Sequence, residues 1–442
     1  MKLFSFIIVL FLLCGCSFDD KSGIWKNENS EIKQTSGVLR DFKTITTLKD
    51  DFKEIITLDI NQRIQISQPI NNLEWRDEFY NFDNNLKNFK YNNNNQIAER
   101  SKRLSKYKIN KNILYVDEYL IINDVQGNII FYSIKEKKIS TKFNFYKKKF
   151  KNIKKKINLI IEKDIIYVSD NIGYLYAIDY KTGTLIWAKN YKIPFRSNLK
   201  IAGDKLIASN QNNNLFFFNK KNGDIIKFIP TEETVIKNQF INNLSIADDQ
   251  TLLFLNTYGS LYSVDARSMK MNWFINLNQS LDVNPSNLFF GNAIVNNSNR
   301  ILVTSKDNTF IIDKNTGTTI KKYNFSTFTK PVLNQKYVFL ITKNNLLISI
   351  DLDSNEILYS SDINSQIANF LNISKKNVEI KSLMLINNEI TIFLKNSYVL
   401  NFKINGQIKS VKKLPTKIKS FPILIDKFIY FLNNKKKLII LS

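Results

Sequence analysis

The chain has 442 residues, of which 43% are hydrophobic and 13% aromatic. This composition excludes a generally disordered protein, and the length exceeds one ordinary core of ~100–200 residues unless that core is a repeat or a barrel. The formal net charge is +25, and the chain contains no histidine. The missing imidazole excludes Ser-His-Asp and Cys-His catalysis and His-ligated zinc or haem. Because the lysines are spread along the chain between apolar segments, we interpret them as solvated loop residues rather than as a nucleic-acid-binding surface.

The N-terminus has the pattern of a secretion signal. Lys2 precedes an apolar run from Leu3 to Leu13, which is too short to span a bilayer, since spanning requires ~20 residues. The run ends in Leu13-Cys14-Gly15-Cys16, which resembles a bacterial lipobox. That resemblance implies a signal peptide over residues 1–15, lipidation of Cys16, and, with Ser17 next, sorting to the periplasmic face of the outer membrane. The alternative is a plain signal peptide with two incidental cysteines.

Residues 16–58 are polar and without sustained periodicity, so we interpret them as a lipidated tether. Residues 81–104 are rich in Asn and Lys and are predicted to form a long loop. Beyond Leu104, short apolar segments alternate with clusters of Asn, Asp, Gly and Lys, which is typical of strands and tight turns. We expect at most one short helix, at Ser365–Leu371.

One segment of this strand-rich region recurs several times. The segment from Gly173 to Trp187 shares its frame with Gly259 to Trp273, and the average step between copies is roughly 44 residues, within the range of propeller repeats. Each unit accommodates four short antiparallel strands, which corresponds to one propeller blade. Further copies of the frame run from Asn213 to Lys227, Asp307 to Lys321 and Asn345 to Tyr359, with looser ones near Gly127, Asn396 and Lys436.

The number of copies predicts an all-β, eight-bladed propeller over residues 59–442. Seven units are complete, whereas the eighth starts near Phe421 and ends one strand short. We expect an N-terminal strand within Ile64 to Trp75 to complete it, with Trp75 at the place that Trp187 and Trp273 hold in their units. Strands from both chain ends would then close the ring and remove its exposed edges.

The repeat resembles the tryptophan-docking motif of the PQQ-like, quinoprotein-type propellers. Ala177, Asp179, Thr182, Gly183 and Trp187 match that motif in full. The physical roles are consistent, because Gly permits the tight turn and the aromatic ring packs between blades. Trp273 belongs to a partial match.

Together with the lipobox and the tether, the repeat is similar to the BamB family of outer-membrane assembly lipoproteins. That resemblance implies a non-catalytic scaffold that binds the periplasmic POTRA region of a BamA-like barrel protein and assists unfolded outer-membrane proteins, as a monomer within a hetero-complex. It places a partner-binding pair at Phe195 and Arg196. The acidic residues that the family uses one connection later are missing from the segment from Asn238 to Asn243.

Two alternatives remain. A PQQ-dependent dehydrogenase is disfavoured, because such enzymes carry a vicinal disulfide and a carboxylate calcium site, whereas this chain has only Cys14 and Cys16. The acidic pairs Asp50-Asp51 and Asp248-Asp249 are interpreted as solvated, so we expect no metal and no cofactor. The second alternative is an envelope propeller that binds a polymer or peptide in its central funnel.

Overall fold

The computed structural model describes residues 52–234, 241–247, 250–278, 288–327 and 329–442. Cys16, the predicted signal peptide, most of the predicted tether and Asp248-Asp249 therefore lie outside the described residues. Residues 51–442 form one compact unit. The start of that unit precedes the predicted boundary at residue 59: Ile56 pairs with Ser360, and the ring of Phe52 lies 5.5 Å from that of Phe325.

The prediction of an eight-bladed propeller is confirmed by eight small sheets. Each consists of antiparallel strands joined by tight turns, and the first strand of each blade lies innermost. The first four blades contain β3–β6 (Leu114–Val116, Tyr119–Asn123, Asn128–Ser133, Lys138–Asn144), β7–β10 (Ile157–Glu162, Ile165–Asp170, Tyr174–Asp179, Thr184–Asn190), β11–β14 (Lys200–Ala202, Lys205–Ser209, Leu215–Asn219, Ile225–Ile229) and β15–β18 (Asn243–Ile246, Thr251–Leu255, Ser260–Asp265, Lys270–Asn276).

Blades 5 to 8 repeat the same order. They contain β19–β22 (Val295–Asn296, Arg300–Thr304, Thr309–Asp313, Thr319–Tyr323), β23–β26 (Val332–Asn334, Tyr337–Ile341, Leu346–Asp351, Glu356–Asp362), β27–β30 (Ile380–Ile386, Glu389–Leu394, Tyr398–Phe402, Ile408–Lys413) and β31–β33 (Ile423–Ile425, Phe428–Leu432, Lys437–Leu441). Two N-terminal strands join the last two blades: β1 (Asn88–Phe89) pairs in parallel with β27, and β2 (Ile97–Arg103) pairs with β33.

The ring is closed by an N-terminal strand, as predicted, but the predicted strand was wrong. Ile97–Arg103, not Ile64 to Trp75, forms the fourth strand of blade 8, antiparallel to β33. The predicted loop over residues 81–104 was also wrong, since it contains both β1 and β2. The closing strand was missed because outermost strands bury little side-chain surface. Its sequence Ile-Ala-Glu-Arg-Ser-Lys-Arg has only Ser101 fully buried, so it has almost no apolar pattern.

Side-chain burial follows the blade architecture. The inner strands lie between neighbouring blades and are buried on both faces, as in β5 and β25, whose residues are all buried. Outermost strands such as β10 are mostly exposed. The described residues also include a 3₁₀ turn, Lys148–Phe150, and a helix α1, Ile363–Leu371. The expected helix at residues 365–371 is therefore confirmed, and it begins two residues earlier because Asp362 caps it by accepting hydrogen bonds from Asn364 N and Ser365 N.

Candidate functional site

One end of the central channel is filled by the chain's own residues 70–92, which we call the belt. The belt runs once around the inside of the ring and bonds to each blade in turn. In blades 2, 4, 7 and 8 its contacts lie at or just past the ends of the innermost strands, so the belt closes the face of the ring to which those ends lead. The pairs, in chain order, are Asn72 with Asp426 (blade 8), Trp75 with Tyr115 (blade 1), Arg76 with Ile161 (blade 2), Asp77 with Lys200 (blade 3), Phe82 with Ile246 (blade 4), Asn84 with Ile294 (blade 5), Asn85 with Leu333 (blade 6) and Phe89 with Ile386 (blade 7).

Two asparagine side chains of the belt form the hydrogen bonds that the backbone of a neighbouring strand would otherwise form. Asn85 Nδ2 donates to the carbonyl of Leu333 at 2.8 Å, and its Oδ1 accepts from the Leu333 amide at 3.0 Å. Asn84 Nδ2 donates to the carbonyls of Leu244 and Ile294 at 2.9 and 2.8 Å. Buried backbone groups on an innermost strand need partners, and an amide side chain supplies both donor and acceptor. These contacts therefore fix the belt to three blades without a continuous sheet.

Two lysines, Lys200, which is buried, and Lys330, which is partly buried, also attach the belt to the ring. Lys200 is 0% exposed, and its ammonium donates to Asp77 Oδ2 at 2.6 Å and to the Asn81 carbonyl at 2.8 Å. Lys330 donates to the carbonyls of Phe79 and Asn84 at 2.8 and 2.6 Å. Burial lowers the pKa of Lys330 to about 7. Removing either lysine would leave buried acceptors of the belt without a donor.

Above the belt, the channel widens into a cavity of ≈ 560 Å³. Belt residues Trp75, Glu78 and Phe79 border it. Its walls come from residues that precede the first strands of blades 1 and 5 to 8, from the first strand of blade 7, and from the turns between the second and third strands of blades 6 and 7. The cavity therefore opens on the face that carries the links between blades, which we call the connecting face. Glu78 accepts from the Leu159 amide at 3.1 Å, and burial raises its pKa to about 8. The site is thus a cavity that is closed at one end by the belt, and it contains a carboxyl group that is protonated near neutral pH.

The repeat residues identified in the sequence lie at the junctions between blades. Asp179 Oδ1 accepts from the amides of Lys181 and Thr182 at 2.9 Å, and these bonds, above all that from Thr182, lower the pKa of Asp179. Gly183 follows with φ +71°, and Ala177 lies opposite Trp187 in the strand pairing. The motif thus builds the last turn of a blade and positions its aromatic residue.

The aromatic residue of one blade packs on the glycine turn of the next. The Trp187 indole N–H donates to the Lys220 carbonyl at 3.1 Å, and its ring lies against Gly223. Trp273 repeats the arrangement with Lys314 at 3.0 Å and with Gly317. Trp75 does not occupy an equivalent place. It is 4% exposed, lies in the belt and packs at a tilt against Tyr80 and Phe89, so the expectation that it docks between blades is wrong.

The pair Phe195 and Arg196 lies in the link between blades 2 and 3. Phe195 is 2% exposed and packs against Tyr191 and Phe218. Arg196 is partly exposed; its amide donates to the Ser209 carbonyl, its carbonyl accepts from the Asn242 amide, and burial lowers its pKa. The next link presents Ile241, which is 61% exposed. Arg196 and Ile241 are therefore accessible to a partner, whereas Phe195 holds the link in place.

The donor set of the channel does not fit a calcium-bound quinone. Of the residues that the structure describes, two carboxylates, Glu78 and Glu379, border the cavity, against five lysines. Within the described ranges, no three His, Cys, Asp or Glu side chains come together in a way that could hold a metal ion. A quinone cofactor with calcium needs several carboxylate ligands, which this cavity lacks. Nor does any described helix have the length and apolar character needed to cross a membrane.

Comparisons with known proteins agree with this geometry. The family model described as outer membrane protein assembly factor BamB matches residues 150–361. BamB from Moraxella catarrhalis superposes with a TM-score of 0.60 at 14% identity, covering 77% of this chain and 99% of that one. A quinohemoprotein alcohol dehydrogenase from Comamonas testosteroni gives 0.59 at 10% identity, covering 83% and 80%, and the computationally designed Ika8 protein gives 0.59 at 10%, covering 78% and 99%. No curated protein sequence matches the chain. The structural likenesses establish the fold: the chain is an eight-bladed β-propeller, and its blades 2 to 6 match the BamB family model.

Proposed function

We propose that this chain is a non-catalytic scaffold lipoprotein of the outer-membrane β-barrel assembly machinery. In this role it binds the periplasmic POTRA region of a BamA-like barrel protein and assists assembly and insertion of outer-membrane β-barrel proteins. The observation that carries the proposal is the match of residues 150–361 to the BamB family model. Lipidation of Cys16 would hold the propeller at the periplasmic face of the outer membrane.

The chemistry of the channel supports a scaffold more than an enzyme. The chain has no histidine, and the carboxylates bordering the cavity are Glu78 and Glu379. Glu379 forms an ion pair with Lys395 at 3.1 Å. A hydrolase or dehydrogenase needs a base within reach of an activated group or cofactor, and this donor set supplies no such constellation.

The partner surface that we propose lies on the connecting face at blades 2 to 4. Arg196 and the exposed Ile241 are joined there through Asn242, whose amide donates to the Arg196 carbonyl at 2.8 Å. An arginine beside an exposed aliphatic residue is a typical interface pair, since the guanidinium recognises carboxylates and the aliphatic group fills a pocket. The segment from Asn238 to Asn243 lacks the acidic residues of the family, so the proposed partner contact differs there in detail from that of the family.

The test is affinity recovery of the tagged full chain from detergent-solubilised membranes. We expect a BamA-like barrel protein in the eluate and a loss of about tenfold or more for Arg196→Ala combined with Ile241→Ala. Arg267→Ala is the matched control, because Arg267 lies in a turn on the opposite face. Recovery of folded protein without a BamA-like partner would contradict the proposed function, whereas undiminished recovery with the double variant would contradict only the placement of the surface.

A further inference from the structure

The cavity above the belt is shaped as a binding site rather than as a passage. Its ≈ 560 Å³ lies within the range of small-molecule sites, about 300–1,000 Å³. Trp75, Phe79 and Leu86 of the belt form its floor, so a polypeptide could enter from the connecting face but could not thread through. The cavity therefore suits a compact ligand that enters and leaves by the same opening.

The lining carries a positive charge that the protein does not balance. Five lysines border the cavity, and of its two carboxylates Glu379 is already paired with Lys395. The other, Glu78, is protonated near neutral pH because burial raises its pKa to about 8. Among the described residues, no carboxylate lies within ion-pair distance of the ammonium groups of two of these lysines, Lys111 and Lys381. The others are Lys395, which pairs with Glu379, Lys330, whose pKa of about 7 leaves it only partly charged near neutral pH, and Lys343.

The lysines at the opening are close enough to repel one another. Burial, together with the positive charges of Lys111, Lys419 and Lys395, lowers the pKa of Lys381 to about 8. The Lys381 ammonium donates to the Lys419 carbonyl at 2.7 Å and lies 5.1 Å from the centre of the Phe421 ring. A bound anion would relieve this repulsion, and Phe421 would place an apolar surface beside it.

A second observation also indicates a polar ligand. Thr329 borders the cavity next to Lys330 and is 6% exposed, yet its hydroxyl has no hydrogen-bond partner in the protein. The hydroxyl of Ser382, near Lys381, is likewise unpartnered. Buried hydroxyl groups are nearly always satisfied, and a polar group of a ligand in the cavity is one source of the missing partner for Thr329.

We propose that this cavity binds a small amphiphilic anion, with its acidic head at Lys111 and Lys381 and its apolar part against Trp75, Phe79 and Phe421. The head group is a carboxylate or a phosphate, since both accept several hydrogen bonds from ammonium groups. The apolar part is short, because the belt closes the cavity. This site is separate from the surface at Arg196 and Ile241, and it does not depend on the proposed scaffold function.

The test is calorimetric titration of the full chain with three ten-carbon probes: decanoate, decyl phosphate and decanol. We expect saturable binding of at least one anion at about 1:1 and binding of decanol at least tenfold weaker. The ratio of the two anion affinities assigns the head group. Fluorescence of Trp75 should change on binding, and the change should disappear in Trp75→Phe while calorimetric binding persists.

Charge-neutral variants separate the proposed site from nonspecific uptake. Lys111→Gln and Lys381→Gln should each weaken anion binding about tenfold, as expected for the loss of one charge-assisted hydrogen bond. Lys142→Gln is the matched control, because Lys142 is exposed on β6 of blade 1. Thermal unfolding verifies that each variant is folded. Equal binding of decanol and the anions, no binding of either anion, or unchanged affinity in both lysine variants would overturn the proposal.

Discussion

Replacing Gly223 by alanine tests whether aromatic docking holds neighbouring blades together. A Cβ atom at Gly223 would lie 2.5 Å from the Trp187 ring, and the residue has φ +77°. Gly203, in the same blade, has φ +58° but nothing within 4 Å of its Cβ direction. Gly203→Ala therefore incurs only the left-handed backbone cost of ~1–2 kcal/mol. Gly223→Ala incurs the same cost and adds overpacking of ~1–3 kcal/mol against a ring held by the Lys220 carbonyl.

The assay is urea unfolding of both variants. The shift of the unfolding midpoint, multiplied by a common m-value, gives the change in the free energy of unfolding. We expect Gly223→Ala to lower the free energy of unfolding by about 2–5 kcal/mol and Gly203→Ala by about 1–2 kcal/mol. In a Trp187→Ala background the excess should disappear, since the ring that causes it is gone. Equal losses for the two glycines, or an excess that persists without Trp187, would refute the docking of Trp187 on Gly223.

Three further predictions follow from the belt, the cavity and the partner surface. Asn85→Ala leaves the amide and the carbonyl of Leu333 unpaired and should lower the free energy of unfolding by about 2–5 kcal/mol, whereas Asn94→Ala, exposed in the same region, should change it by less than ~0.5 kcal/mol; similar losses would disprove the anchoring role of Asn85. For Glu78, the folded pKa of about 8 exceeds the ordinary 4.5, so the folded state gains a proton between these values and stability falls as pH rises from 4.5 to 8. In urea unfolding at a series of pH values, the free energy of unfolding of Glu78→Gln should equal that of the wild type near pH 4.5 and exceed it by up to about 5 kcal/mol above pH 8. If the two free energies instead depend on pH in the same way, the burial of this carboxyl group is contradicted. Arg196→Ala should weaken partner binding without changing the free energy of unfolding, whereas Phe195→Ala should lower that free energy by about 3–5 kcal/mol because it empties a core position; a destabilising Arg196→Ala with a neutral Phe195→Ala would contradict these assigned roles.

The blades could be predicted from the sequence because their determinants are local. Asp179 and Gly183 fix a turn within five residues, and the alternation of short apolar strands with such turns repeats at a constant step. Trp187 could be assigned as a docking residue for the same reason. The short helix could be predicted from the spacing of its apolar residues. Its exact start could not, because the capping residue Asp362 lies before that apolar pattern begins.

The belt could not be predicted, because its order depends on partners far away in the chain. Asn85 and Leu333 are separated by 248 residues, and Asn84 and Ile294 by 210. An asparagine-rich segment is typical of a loop unless its amides find buried backbone groups, and nothing local indicates that they do. Trp75 was assigned to the wrong place because a single aromatic residue, without the rest of the repeat motif around it, does not define its position within a blade. The one signal that could have found the belt is the combination of Trp75, Tyr80 and Phe89 with buried asparagines, which is unusual for a solvated linker.

The central claim is that this propeller is a scaffold that binds a BamA-like protein. The most direct measurement is calorimetric titration of the purified full chain with the soluble POTRA region of the BamA-like protein from the same organism. The account predicts saturable 1:1 binding that weakens when Arg196 and Ile241 are replaced by alanine. Folded protein that shows no binding at about 100 µM, well above the dissociation constant of a micromolar complex, would contradict it.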